Sequence, residues 1–124
     1  MRALVVDDSR AMRNLVGRLM KELGFEVLEA VHGRDALDKV KSGVELSIVL
    51  CDWNMPEMDG VEFVRALRAE SIYANLPVMM VTSEGDMSRV SIAIEAGANE
   101  YLMKPFDKSQ VLEKLNILGL GIAT

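Results

Sequence analysis

Four apolar, strand-like runs in this chain each end on a reactive polar residue. Ala3–Val6 leads into Asp7-Asp8, Ser47–Cys51 into Asp52, Pro77–Val81 into Thr82, and Tyr101–Met103 into Lys104. Helix-like patterns separate the runs. Strands joined through helices are parallel when they share a sheet, and parallel strands bring their C-terminal ends to one rim. Three carboxylates, a hydroxyl and an ammonium are therefore expected to share one crevice. Such a crevice suits a hard cation beside a phosphoryl group.

The helical patterns are regular. Met12, Leu15, Val16, Leu19 and Leu23 follow three-four spacing, with Gly24 at the C-terminal position,. Ala36, Leu37 and Val40 mark a second helix before Gly43, and Val61, Val64 and Leu67 a third. Val90, Ala93 and Ile94 mark a fourth, closed by Gly97, and Leu112, Leu115 and Leu118 a fifth. Asp107 can cap that last helix, with Gln110 at the capping-box position and Phe106 stapling onto Val111. Phe25–Val31 supplies one more strand. Alternation of this kind predicts an α/β domain with a doubly wound, five-stranded parallel sheet flanked by five helices. Leu4–Val6, Ile48–Cys51 and Val78–Val81 are almost unbroken apolar runs, as in strands covered on both faces. Phe25–Val31 carries Glu26 and Glu29, and the last strand is short, so these two read as edges. The strand order 2-1-3-4-5 known for such sheets satisfies both, and it puts a crevice between the first and third strands.

With 124 residues, 50% hydrophobic and 27% charged, the chain has the size and composition of one globular domain,. No linker, repeat or low-complexity stretch is present, so residues 1–124 are expected to form a single domain with no output domain attached. The one cysteine, Cys51, excludes an internal disulfide and reads as a buried small hydrophobe,. Nothing resembles a signal peptide or membrane span, which points to the cytoplasm and away from membranes. The net charge of −5, with no Lys/Arg block to offset it, argues against sequence-independent nucleic-acid binding,.

Each site residue also has a plainer reading. One Asp before a helix is a common N-cap, as is Ser9. Two adjacent acids at a buried strand end repel each other unless a cation neutralises them, and this favours a metal role for Asp7 and Asp8. Asp52 alone is a turn former ahead of Met55-Pro56; beside Asp7-Asp8 it completes an acidic cluster. Asp59-Gly60 reads as a turn and cap without chemistry. Lys104 is either a solvated loop lysine or the cation that balances the acids and a phosphate, and Lys104-Pro105 is a candidate cis peptide. Thr82 can cap a helix or donate its hydroxyl to a phosphoryl oxygen. Tyr101 reads first as half-buried packing on an edge strand. The 9 methionines read as core filler and not as copper ligands,. His32 has no His or Cys partner at ligand spacing.

These residues, in this order, resemble the receiver domain of two-component response regulators over essentially the whole chain. Asp52-Trp53-Asn54-Met55-Pro56-Glu57-Met58-Asp59-Gly60 is especially similar to the single-domain chemotaxis (CheY-like) type. Asp7-Asp8, Thr82 and Lys104-Pro105-Phe106 complete the pattern. The resemblance implies a flavodoxin/CheY-like fold and a phosphoacceptor function: Asp52 takes a phosphoryl group from a phosphohistidine on a sensor histidine kinase. It implies Mg²⁺ held by the side chains of Asp8 and Asp52, the Asn54 carbonyl and, through water, Asp7. Lys104 and Thr82 then contact the phosphoryl group, Tyr101 rotates inward as the switch, and Asn54 and Glu84 tune hydrolysis. The face formed by the fourth helix, fifth strand and fifth helix would bind the downstream target protein. Such a protein is a monomer and not a conventional enzyme, although it catalyses its own phosphorylation and dephosphorylation.

A phosphorelay intermediate or another stand-alone receiver adaptor is an alternative reading; a degenerate receiver that docks partners without phosphorylation is a rival, against which the intact acids, Thr82 and Lys104 argue. An aspartyl-phosphate phosphatase of the haloacid dehalogenase type would need an acid where Asn54 stands, and a cap. An FMN carrier would set Asp7-Asp8 against the flavin phosphate. Gly85-Asp86-Met87-Ser88-Arg89 carries mixed charge where chemotaxis members have lysines, and the tail Gly119–Thr124 is apolar and glycine-broken. The kinase and the target are left open.

Overall fold

Among the described residues, five strands and five helices alternate. A computed structural model describes residues 1–83 and 87–120, with side chains given for all of these but Met87 and Ser88. The elements are β1 (Arg2–Val6), α1 (Arg10–Glu22), β2 (Glu26–Ala30), α2 (Gly33–Lys41), β3 (Ile48–Asp52), α3 (Gly60–Arg68), β4 (Val78–Thr82), α4 (Met87–Ala96), β5 (Glu100–Met103) and α5 (Lys108–Ile117). A single 3₁₀ turn, Ser71–Tyr73, follows α3. All strand pairings are parallel, in the order β2-β1-β3-β4-β5. The expected doubly wound sheet, its order and its two edge strands are all present.

Period-two alternation along each strand divides the core. Leu4 and Val6, Val49 and Cys51, and Val78 and Met80 face one side with residues of α2, α3 and α4. Ala3 and Val5, Ile48 and Leu50, and Met79 and Val81 face the other with residues of α1 and α5. β4 is buried throughout, whereas β2 is not. Each fully buried Leu, Val, Met or Phe stabilises the fold by about 1.5–3 kcal/mol, and that stability sits directly beneath the rim that carries the polar residues.

Helix starts follow local chemistry. Ser9 caps α1 by accepting from the Met12 N–H, and the Nδ1 of His32 caps α2 by accepting from the Asp35 N–H. Asp59 and Asp107 each form a complete capping box, with Glu62 and Gln110. Phe106 packs with Val111 in one apolar cluster. At the far end of α4, Gly97 holds φ 122 against Arg68, where a Cβ would lie 2.5 Å from Arg68 Cγ.

Two expectations need correction. Ile94 is 44% exposed and does not mark the buried face of α4. The buried stripe there runs through Val90 and Ala93 to Ala96 and Ala98, and Ile94 lies on its flank. The second strand is shorter than Phe25–Val31: Phe25 is buried before β2 begins, and Val31 is 44% exposed after it ends.

Candidate functional site

Register sets the site. Val6 pairs with Cys51, Asp52 with Val81, and Thr82 with Met103. The residue after β1 is Asp7 and the residue after β5 is Lys104, so the rim steps from one reactive side chain to another across four strands. Carboxylate oxygens of Asp7, Asp8 and Asp52 lie within 4.8 Å of one another. Lys104 Nζ bridges two of them, at 3.6 Å from Asp7 Oδ2 and 3.4 Å from Asp52 Oδ1. The Asp7 side chain is only 5% exposed and that of Asp52 13%, whereas Asp8 is open to solvent.

Burial and the neighbouring Asp7 charge push the Asp52 carboxyl above the ordinary aspartate range; Lys104 and the Trp53 N–H pull the other way and do not cancel the effect. Burial, reinforced by the same acids, also pushes the Cys51 thiol well up, so Cys51 is an inert core residue as expected,. Asp7 is further ordered by accepting from the Ser9 N–H at 2.9 Å. All-oxygen carboxylate ligands at one end of a sheet suit a hard divalent cation, and repulsion among three of them gives that cation a reason to bind. His32, by contrast, is spent on capping α2.

Thr82 ends β4 and is 3% exposed; its carbonyl accepts the Lys104 N–H at 2.7 Å, the last rung between β4 and β5. The Lys104-Pro105 bond is cis. Asn54 is exposed, two residues beyond Asp52, in a loop closed where the Gly60 N–H donates to the Trp53 carbonyl at 2.9 Å. Gly60 has no alternative there, because a Cβ would stand 2.3 Å from the Asp52 carbonyl oxygen. Tyr101 is half-buried on β5 against α5. Glu84 lies outside the described residues. An apolar cleft of about 370 Å³, lined by Met12, Leu15, Ser83, Pro105 and Phe106, opens beside Lys104.

The sequence profile of the response regulator receiver domain matches residues 3–116. The chain belongs to that family. It is 44% identical to a chemotaxis protein CheY homolog of Campylobacter jejuni over 98% of this chain and 95% of that one. It is 40% identical to the chemotaxis protein CheY1 of Helicobacter pylori, over 95% and 96%. Among solved structures, chemotaxis response regulator CheY4 of Vibrio cholerae superposes with a TM-score of 0.87 at 35% identity, covering 94% of this chain and 97% of that one. A putative response regulator from Chloroflexus aurantiacus superposes at 0.88 with 32% identity, over 95% and 97%. Among the described residues of this receiver domain, no helix is long and apolar enough to cross a membrane.

Two residues at the site escaped sequence reasoning. Arg13 on α1 donates through Nη1 to the Asp7 carbonyl at 2.7 Å and through Nε to Glu29 at 3.2 Å, fixing the main chain that presents Asp7-Asp8. Arg89 on α4 lies with its guanidinium carbon 5.0 Å from the centre of the Trp53 ring, next to Asp52. For Arg13 there was a signal: an arginine in the first turns of α1, opposite the acidic edge position Glu29. For Arg89 there was none, because its partner lies on a different layer.

Proposed function

We propose that this receiver domain is the phosphoacceptor of a two-component system of the chemotaxis type, with Asp52 as the residue phosphorylated. The convergence of Asp7, Asp8 and Asp52 within 4.8 Å, with Lys104 set between two of them, carries the reading. Attack of an Asp52 carboxylate oxygen on phosphorus transfers PO₃ from a phosphohistidine and returns the imidazole. Asp7, Asp8, Asp52 and the Asn54 carbonyl are the groups that would hold Mg²⁺. When bound, that ion supplies positive charge to the phosphoryl oxygens during transfer.

The remaining roles belong to the chain. Lys104 sits 3.4 Å from the Asp52 carboxylate, which supports its pairing with a phosphoryl oxygen once Asp52 is esterified,. Thr82, across from it at the end of β4, donates its hydroxyl to the same group. A phosphoryl group adds roughly −1.5 to −2 charges and three acceptors. That charge biases Thr82 and Tyr101 towards a second arrangement, and the face built from α4, β5 and α5 changes its affinity for a target protein. Asn54, exposed two residues beyond Asp52, tunes attack of water on the acyl phosphate in this reading. The receiver-domain match supports a sensor histidine kinase as the phosphoryl donor.

The test is incubation with acetyl phosphate and Mg²⁺, read by intact mass. One phosphoryl group should be added, and none to Asp52→Asn. Undiminished labelling of that variant would remove the assignment, and steady turnover of a phosphate ester would favour a phosphatase instead.

A further inference from the structure

Lys114 on α5 makes two contacts that the phosphoacceptor chemistry leaves unused. Its Nζ lies 2.9 Å from Glu100 Oε1 and 4.3 Å from the centre of the Tyr101 ring. The same Glu100 oxygen accepts the Tyr101 main-chain N–H at 3.1 Å. β5 is an edge strand, and this N–H takes a side-chain acceptor in place of a neighbouring strand. One carboxylate oxygen thus holds both the backbone of Tyr101 and the cation that covers its ring. The pair is largely shielded, with the Lys114 side chain 22% and the Glu100 side chain 14% exposed, so salt screens it less than an ordinary surface pair,.

We propose that Glu100 and Lys114 are positioning residues for Tyr101, setting how readily its ring leaves α5. The proposal rests on the reading of Tyr101 as the switch. Lys114 cannot travel with the ring, because Glu100 anchors it to the strand. Inward rotation therefore gives up the cation–π contact, and a half-exposed contact of that kind shifts the ratio of two ring positions by about twofold to fivefold. Glu100 acts through Lys114: without its carboxylate the ammonium is released to water. Lys114→Met and Glu100→Gln should both favour the inward ring. Lys114→Arg should not, since a guanidinium can both pair with Glu100 and stack on the ring.

The experiment uses the whole chain, labelled with 3-fluorotyrosine in a Tyr73→Phe background so that Tyr101 gives the only fluorine signal. The solvent-isotope shift of that signal reports ring exposure, before and after acetyl phosphate and Mg²⁺, with intact mass recorded on the same samples. Resting Lys114→Met and Glu100→Gln should show a more buried ring, by twofold to fivefold in population, and Lys114→Arg should match the parent. An exposure in Lys114→Met equal to or greater than the parent's would overturn the proposal. If Lys114→Met fails to fold, Glu100→Gln, which keeps its size, decides alone. Loss of the phosphoryl mass would strike the phosphoacceptor reading only, because the resting samples still judge the positioning role.

Discussion

Replacing Asp52 by asparagine should make the metal-free protein more stable. At an effective dielectric constant of about 20, two carboxylates at 4.8 Å, the outer limit of their spacing here, repel by about 3.5 kcal/mol, and Lys104 at 3.4 Å from Asp52 offsets this by about 5 kcal/mol,. Asp52→Asn removes two repulsions and one attraction, and the share owed to solvent-exposed Asp8 is strongly screened,. The Coulomb terms nearly cancel, so the cost of burying the charge decides the sign, in agreement with the raised pKa of Asp52, and the variant should gain about 1–2 kcal/mol,. For 124 residues that corresponds to about 4–8 °C in Tm,. The assay is thermal unfolding at pH 7 in low salt with EDTA. Added Mg²⁺ should raise the Tm of the parent more than that of the variant and narrow or reverse the gap. The pH dependence has a definite sign. The Asp52 pKa is raised on folding, so its ionisation costs stability as pH rises through the unfolded value of about 3.8 and on through the folded value,. Below that window the carboxyl is neutral in both states and the difference disappears. A variant no more stable than the parent in EDTA at pH 7, or a gap that persists at pH 3, would refute the electrostatic account.

Asp8→Ala should abolish Mg²⁺-dependent quenching of Trp53 fluorescence; full quenching would contradict its ligand role. Gly60→Ala should destabilise the fold by about 3 kcal/mol, measured by urea unfolding, because its Cβ meets the Asp52 carbonyl oxygen,. Asp59→Ala should cost about 1 kcal/mol through loss of the α3 capping box, again by urea unfolding, and leave Mg²⁺ affinity unchanged,. Asp107 has its pKa lowered, first by the Ser109 hydroxyl and then by the Gln110 N–H, so its stabilising contribution is present above the unfolded value and is lost as pH falls through the folded one,. Asp107→Asn should therefore flatten the acid limb of a circular-dichroism titration.

Much of the architecture was legible because apolar runs and glycines punctuate it locally. The edge character of β2 and β5 was legible from Glu26, Glu29 and Glu100. What failed depended on distant partners. Asp52 and Thr82 belong to their strands, instead of following them, because their neighbours Val81 and Met103 extend the ladder. Ile94 was misplaced because spacing alone does not say how narrow a helix contact is. Arg68, whose guanidinium donates to the carbonyls of Gly97, Tyr73 and Leu76 and to Asn99, looks in the sequence like any surface arginine. The acids, Thr82 and Lys104 could be singled out because each closes an apolar run, a purely local cue; Arg13 and Lys114 contact residues 16 and 14 positions away.

The rung from Lys104 to the Thr82 carbonyl has a mechanical meaning. It welds the two main chains that flank the acidic cluster on the β5 side. Parting them would break the end rung of the sheet on that side. The side chains of Thr82 and Lys104 can therefore turn at this rim while the main chains that carry them stay paired.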